Sequence, residues 1–301
     1  MSVKTKLKNQ MREASDRAGG SYATRRARNG FIGMLVTTLF LLGFPVTSVN
    51  QIGVRAIKAF IDFRKKAGKN TRTIQNDMSF IKTIFRRSGR EQFAREPLLT
   101  NEALGISGAS RRGTKQAPTD DEYDAILERA KDEGLRALLM LCRWLGLREQ
   151  EAILSFRSLK EWEKTLRTGG THILVIWGTK GGRPRHARIF NMERSLRAVQ
   201  CALGVLASGR RLAPKTNLKS AVKWFDNATH RRKIRGHALR YAYAQDAVDI
   251  MKADGHTESE AYALAGMYLG HGDGRGRMIK LVYGTRSTTP SPANPPLFLG
   301  G

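Results

Sequence analysis

Apolar residues recur at helical spacing along the first third of the chain. They form a nearly continuous run over 30–43, return every three or four positions from Val54 to Lys66, and define a stripe from Thr73 to Arg87. This periodicity predicts three amphipathic helices. The stripe of the third helix is Ile74, Met78, Ile81 and Phe85, and its remaining face carries Arg72, Lys82, Arg86 and Arg87.

One uncharged segment, Phe31–Val49, resembles a membrane span in composition. A spanning helix needs about 20 predominantly apolar residues. Gly43 and Pro45 interrupt the segment before that length is reached. We therefore predict a buried helix and no membrane association.

The second part of the chain combines helical patterns with one hairpin. Thr119 and Glu122 have the spacing of a capping box and predict a helix start. Two β-rich runs, Ile173–Trp177 and Ala187–Phe190, flank a connection rich in turn residues, which predicts an antiparallel hairpin. Further helical patterns occupy about 193–207, 215–229, 236–253 and 258–269.

These patterns predict a mainly α fold with a small antiparallel β-sheet (α+β), built from a helical domain and a mixed domain. The boundaries follow composition: residues 96–117 are rich in glycine and poor in periodic apolar positions. The predicted parts are a basic N-terminal arm (1–28), a helical domain (29–95), a linker (96–117), a mixed domain (118–286) and a Pro- and Ser-rich tail (287–301). The N-terminal arm is expected to be either flexible or a first helix.

The charge balance narrows the class of partner. The chain has 53 basic and 26 acidic residues, a net charge of +27, which indicates a polyanionic partner such as nucleic acid. Cys142 and Cys201 both fall in apolar helical patterns, so we expect packing and a reducing, cytoplasmic setting. Cysteine and histidine lack the spacing of a zinc site, and we expect neither a metal nor another cofactor.

Six residues form a set that can cut a phosphodiester without a metal. Two guanidiniums can neutralise charge on the non-bridging oxygens, a phenol can attack phosphorus, and an ammonium and two imidazoles can move protons. His237 and Arg240 are three positions apart, so on a helix they share one face. The full set is Arg148, Lys180, His237, Arg240, His271 and Tyr283.

In their order, these residues resemble the tyrosine recombinases, or phage integrase family. Residues 118–284 carry the likeness, and 30–90 resemble more weakly the family's helical core-binding domain. Its first, second and third boxes resemble Gly146-Leu147-Arg148-Glu149-Gln150-Glu151, His237-Ala238-Leu239-Arg240 and Leu269-Gly270-His271, with Tyr283 at the nucleophile position.

The resemblance implies a role for each residue. Arg148, oriented by Glu151, and Arg240 hold the scissile phosphate; His271 donates a hydrogen bond to the transition state. Lys180 is the general acid on the hairpin, and His237 assists proton transfer from the phenol. DNA contacts are expected from Arg72, Lys82, Arg86, Arg87, Arg183 and Arg185. The other histidines, His172, His186, His230 and His256, are expected to be structural or surface residues.

The nucleophile has one competitor. Twelve positions separate His271 from Tyr283, about three more than is usual in the family, with 272–277 as the apparent insertion. Tyr268 is the alternative, but it precedes His271 and breaks the family order. Tyr241 and Tyr243 share the helix of Arg240 and are expected to pack.

The resemblance implies a site-specific DNA recombinase that acts on duplex sites as a nucleoid-associated homotetramer, with DNA-bending accessory proteins as further candidate partners. It implies integration or excision of a mobile element, or resolution of replicon dimers, through a 3′-phosphotyrosine. A relaxing enzyme of the type IB topoisomerase kind and a catalytically idle DNA-binding protein remain alternatives. We expect the apolar end of the tail, 297–299, to dock on a neighbouring protomer; a frayed terminus is the alternative.

Overall fold

The chain divides into two compact units, Met1–Ser110 and Arg111–Gly301. The structure, a computed structural model, describes residues 2–109, 116–231, 236–272 and 276–284. Within those residues the protein is mainly helical with one two-stranded antiparallel sheet, as the sequence predicted. The predicted tail 287–301 and part of the linker, 110–115, lie outside the described residues.

The first unit is a helical bundle. Its apolar positions meet in one core, and the stripe predicted for the last long helix is buried in it. Asn70 begins that helix by accepting a hydrogen bond from the backbone of Thr73 at 2.8 Å, a standard N-terminal cap. The helices are α1 (Val3–Arg17), α2 (Tyr22–Leu41), α3 (Val54–Lys66), α4 (Thr71–Arg87) and α5 (Glu91–Ala94).

Two boundaries of this unit differ from the prediction. Of the two forms predicted for the basic arm, the helix is present: α1 buries Leu7 and Met11 in the core of the bundle while its basic residues face outward, so the arm belongs to the helical domain. The first part of the predicted linker also belongs to the bundle, because Leu99, Leu104 and Ile106 are buried in the same core. A few buried apolar side chains hold each segment in the bundle. These apolar positions lie among basic or glycine-rich neighbours, so the composition of the segments did not indicate that they are part of the core.

None of the helices in the described residues is both long and apolar enough to cross a membrane. Helix α2 contains the first part of the uncharged run, residues 31–41, and buries Ile32, Leu35 and Leu39 in the core of the bundle.

The second unit packs helices around a central apolar helix, α7 (Glu133–Trp144), which contacts α10 (Met192–Ala207) and α12 (Gly236–Ala253). The predicted capping box is present: Thr119 and Glu122 bond each other's backbone at the start of α6 (Asp120–Arg129). The other helices are α8 (Glu149–Leu154), α9 (Leu159–Arg167), α11 (Leu218–Arg231), α13 (Glu258–Tyr268) and α14 (Gly276–Tyr283).

The predicted hairpin is formed by β1 (His172–Val175) and β2 (Arg185–Arg188), paired antiparallel. The register pairs His172 with Arg188 and Val175 with Arg185, so residues 176–184 form the connection. Ala187 and Arg185 face the interior, and His186 is exposed, as alternation along a strand requires.

Candidate active site

Arg148 lies at the start of α8, where its own backbone and side chain both contact Glu151. The guanidinium Nη1 donates to Glu151 Oε1 at 2.6 Å, and the backbone amide of Arg148 donates to Oε2 at 2.8 Å. Its Nη2 donates to the carbonyl oxygen of Leu269 at 2.9 Å. The predicted pairing of Arg148 with Glu151 is therefore present, and the bond from Arg148 Nη2 to the Leu269 carbonyl joins the first box to the third.

Arg240 reaches the same two boxes from α12. Its side chain is 1% exposed, and its guanidinium donates to the carbonyl oxygens of Gly146 and Leu269. Arg148 and Arg240 thus share one acceptor, the Leu269 carbonyl, although they are 92 positions apart in the sequence (148 and 240). The Nε of Arg240 is buried without a hydrogen-bond partner in the described residues.

Arg185, from which a DNA contact was expected, lines the cleft described below but is largely buried. Its side chain is 4% exposed and lies inside the protein, where Nη2 donates to Glu151 Oε2 at 2.7 Å and to the Gly146 carbonyl oxygen at 2.9 Å. Nη1 donates to the carbonyl of Tyr268. We call Arg148, Arg185 and Arg240 around Glu151 the guanidinium cluster.

The guanidinium cluster sets three positive charges around one carboxylate. Burial alone would raise the pKa of Glu151, but the charges of Arg185, Arg240 and Arg148 outweigh it and lower that pKa to about 2. Burial, together with repulsion from Arg185 and Arg148, lowers the pKa of Arg240 to about 10. Three guanidiniums around one carboxylate give the cluster an excess of positive charge suited to an anion.

His271 and Tyr283 meet beside the guanidinium cluster. The imidazole Nε2 of His271 lies 3.3 Å from the phenolic oxygen of Tyr283. Tyr283 is buried, with 4% of its surface exposed. Helix α14 packs on α13, and the Tyr283 carbonyl accepts from the Gln245 side chain at 3.2 Å. Burial and the charges of Arg240 and Arg148 lower the pKa of His271 to about 4, so its ring is neutral at neutral pH.

Tyr241 lies near both His237, the other histidine of the predicted set, and Tyr283. The Tyr241 ring lies 4.5 Å from the Tyr283 ring, centroid to centroid, and the ring of the exposed His237 lies 5.6 Å from the Tyr241 ring. Tyr241 and Tyr243 are buried, and Tyr243 donates to the Arg188 carbonyl at 2.8 Å, which confirms that both pack.

Lys180 is exposed in the hairpin connection and faces a cleft of about 850 Å³. Arg148 and His271 line the same cleft, and the Lys180 charge contributes to lowering the pKa of His271. His172 and His186, expected to lie outside the site, also line this cleft. Tyr268 lines it too, with its ring 5.7 Å from that of His172.

The basic face of α4 lies in the first unit. Arg72, Arg86 and Arg87 are exposed, and Lys82 is half-buried, with a pKa lowered by burial and by Arg86. Arg86 also lies 3.7 Å from Glu91.

Sequence reasoning missed the two backbone carbonyls of Gly146 and Leu269 and the inward position of Arg185. Nothing in side-chain order marks a carbonyl as an acceptor. Arg185 did carry a signal, since it is two positions from the apolar Ala187 and therefore shares its face of the strand. In the described part of the chain, no group of three or more histidine, cysteine or acidic residues could hold a metal ion.

Comparisons with known proteins agree with this architecture. Residues 4–94 match the family model described as phage integrase, N-terminal, and residues 105–246 match the model described as integrase. The second match includes Arg148, Lys180, His237 and Arg240 and ends before His271 and Tyr283. No curated protein matches the sequence.

Solved structures share the fold at low identity. A lambda integrase dimer bound to a core site aligns with a TM-score of 0.60 and 16% identity over 95% of this chain and 79% of that one. The Tn1549 transposon integrase in complex with transposon right-end DNA aligns with a TM-score of 0.54 and 15% identity over 96% of each chain. Family models and fold together show that the chain belongs to the tyrosine recombinases, the phage integrase family.

Proposed function

We propose that this chain cuts and rejoins duplex DNA through a 3′-phosphotyrosine link formed by Tyr283. The observation that carries the proposal is the 3.3 Å contact between His271 Nε2 and the Tyr283 phenolic oxygen, beside the guanidinium cluster. A phenol next to a neutral imidazole and an excess of positive charge is equipped to attack a phosphodiester.

The six residues account for the bond formed, the bond broken and both proton transfers of the proposed reaction. The phenolic oxygen forms a bond to phosphorus as the bond from phosphorus to the 5′-oxygen breaks. The phenol's proton passes to a neutral imidazole, which we assign to His271 because its Nε2 lies 3.3 Å from the phenolic oxygen, with His237 assisting this proton transfer. Lys180 gives a proton to the leaving 5′-oxygen. Rejoining is the reverse reaction and needs no ATP, because the tyrosyl phosphodiester keeps the bond energy.

The arginines supply the electrostatic stabilisation. Charge grows on the non-bridging oxygens as the phenol attacks, and preorganised donors stabilise it best where water is excluded. Arg148 lines the cleft and presents its guanidinium there, with Arg240 buried behind it. An incoming phosphate would neutralise part of the excess positive charge of the cluster. The Nε of Arg240, which has no hydrogen-bond partner among the described residues, is a further donor in this cluster.

Duplex DNA is the proposed substrate. The net charge of +27 and the basic lining of the cleft both suit a polyanion, and the two structural neighbours were solved with DNA. We assign phosphate contacts to Arg183 on the hairpin and to the basic face of α4, namely Arg72, Lys82, Arg86 and Arg87.

Site-specific recombination is the proposed outcome, by a nucleoid-associated homotetramer that integrates or excises a mobile element or resolves replicon dimers, with DNA-bending accessory proteins as candidate partners. Exchange requires two duplexes to be cut in concert, which a monomeric relaxing enzyme does not do. The complete set of six residues favours an active enzyme over an idle DNA-binding protein.

A suicide-substrate assay tests the chemistry. Nicked duplexes that tile the DNA flanking the gene release the 5′-hydroxyl fragment after cleavage, which traps any covalent protein–DNA adduct. The wild-type chain should form an adduct that survives denaturation, and Tyr283→Phe should bind the same duplex without forming one.

Tyr22→Phe is the matched control, because Tyr22 lies in the first unit and is 73% exposed. It should form the adduct like the wild type. If Tyr283→Phe still becomes linked to DNA, the assignment of the nucleophile is wrong and Tyr268 takes its place. A wild-type chain that forms no adduct on any tile would refute the proposed function.

A further inference from the structure

Arg185 stands at the base of the connection that carries Lys180. It pairs with Val175 in the last register position of the hairpin, and Lys180 lies near the middle of the nine residues, 176–184, between them. Residues Lys180–Gly182 form a short 3-10 turn at the exposed end. Whatever fixes Arg185 therefore fixes one end of the Lys180 connection.

Three separate elements hold the Arg185 guanidinium. It contacts Glu151 on α8, at 2.7 Å from Nη2 to Oε2 and 3.4 Å from Nε to Oε1. It also donates to the Gly146 carbonyl at 2.9 Å and to the Tyr268 carbonyl at the end of α13. Because all these partners are themselves buried or helical, the position of Arg185 is strongly determined.

A second contact holds the other end of the connection. Gly178 approaches the backbone of α8 so closely that a Cβ there would lie 2.5 Å from the carbonyl oxygen of Gln150 and 2.8 Å from the amide of Glu151. The Lys180 connection is thus held at Gly178 by close packing and at Arg185 by its guanidinium, both against the start of α8.

Resting on the proposed function, we infer that Arg185 is a positioning residue that holds the Lys180 connection against the guanidinium cluster, so that the Lys180 ammonium meets the leaving 5′-oxygen. In this role the inward-facing Arg185 acts through the connection that carries Lys180. It links the residue that protonates the leaving group to Glu151, which also orients Arg148.

The shape of the guanidinium is needed for this role as well as its charge. A planar fork with five donors can serve a carboxylate and two carbonyls at once, whereas an ammonium on a flexible stem directs fewer bonds. A displacement on the order of 1 Å at a reacting group can cost about 10²-fold in rate. Loss of Arg185 should therefore slow the step that needs Lys180.

Substrates with sulfur in place of the leaving 5′-oxygen isolate that step, because a thiolate leaves without being protonated. Lys180→Ala provides the reference: it should cleave the oxygen substrate about 10²–10⁴-fold more slowly than wild type and recover most of the rate with sulfur. Arg185→Gln should lose about 10²-fold with oxygen and recover with sulfur in the same way.

Arg188→Gln is the matched control, since it removes one arginine from the same strand. Arg188 pairs with Asp254 at 3.6 Å, outside the guanidinium cluster, and its loss should leave both rates near wild type. A merely structural role for Arg185 would reduce cleavage of both substrates equally, and that result overturns the inference, as does a wild-type rate for Arg185→Gln with oxygen.

Arg185→Lys is a second, conservative variant for the case in which Arg185→Gln does not fold. Thermal unfolding and duplex binding check the folding of both variants. Arg185→Lys should retain the fold, cleave the oxygen substrate slowly and be rescued by sulfur. If both Arg185 variants fail to fold, the residue acts through stability and the inference is wrong. The proposed function fails separately, when the wild-type chain forms no Tyr283-dependent adduct.

Discussion

His271 Nε2 lies 3.3 Å from the phenolic oxygen of Tyr283, although twelve positions separate the two residues in the chain. Helix α14 packs back on α13 and brings Tyr283 to His271, three residues after the end of α13. The additional residues between the third box and the tyrosine therefore do not prevent the two side chains from meeting. The structure supports Tyr283 over Tyr268 on geometry, and its role as nucleophile stays a prediction.

Replacing Glu151 with glutamine should destabilise the second unit strongly. The change leaves three buried or half-buried guanidiniums without their counter-charge, and breaking a buried ion pair in this way costs about 3–5 kcal/mol. Urea unfolding at pH 7 measures the loss. Glu163→Gln is the control, because its pair with the exposed Arg167 should contribute only about 0–1 kcal/mol. Equal losses for the two variants would contradict the buried-cluster interpretation.

The same carboxylate predicts an acid dependence of stability. The folded-state pKa of Glu151 is lowered to about 2, below the unfolded value of about 4.3. Its contribution to stability is therefore complete above the unfolded pKa and is lost as the pH falls toward about 2. The difference in unfolding free energy between wild type and Glu151→Gln should shrink over that window, and a difference that stays constant with pH would contradict it.

His271 should titrate well below an ordinary histidine. Its pKa is lowered to about 4 by burial and by Arg240 and Arg148, against about 6.5 in an unfolded chain. NMR of the ring protons measures the midpoint, with a short unfolded peptide around His271 as the reference. Because the folded form disfavours the proton, this contribution to stability is complete above about pH 6.5 and is lost as the pH falls toward 4. A midpoint near 6.5 in the folded protein would contradict the assigned environment.

Substitution of Gly270 by alanine should disturb the site more than an equivalent change elsewhere. Gly270 has φ 68°, and a Cβ there would lie 2.6 Å from Arg185 Cδ. Gly209→Ala is the matched control, with φ 75° and open space around the added atom. Both variants bear the left-handed backbone cost of about 1–2 kcal/mol, but only Gly270→Ala should also slow covalent adduct formation. Similar adduct rates for the two would show that Arg185 can shift without consequence.

Truncation after Ser287 tests the predicted docking of the tail. The removed residues lie outside the described part of the chain, and their role rests on sequence: prolines at 290, 292, 295 and 296 disfavour a helix, and the apolar 297–299 favours burial. The truncated chain should keep Tyr283-dependent cleavage of one strand while losing tetramer formation and strand exchange, measured by native sizing on DNA and by a two-site recombination assay. Unimpaired recombination would leave a frayed terminus as the better interpretation.

Short-range features of the sequence predicted most of the secondary structure. Helix α3 has the predicted bounds, Val54–Lys66, and the Thr119–Glu122 capping box starts α6 as expected. The hairpin strands were predicted with shifted ends, since β1 begins at His172 and β2 at Arg185. Periodicity and caps act over a few residues, so they fix which segments are helix or strand and leave the ends less certain.

The sequence by itself determined the helical and hairpin elements, the excess of positive charge and the ordered set from Arg148 to Tyr283. Only the tertiary structure decided what those side chains contact. In the folded protein the Arg185 side chain lies in the guanidinium cluster, α1 packs in the bundle of the first unit, and Arg148 bonds the Leu269 carbonyl 121 positions away. A buried guanidinium needs several acceptors at once, and folding assembles them from distant segments and backbone carbonyls that side-chain order does not encode.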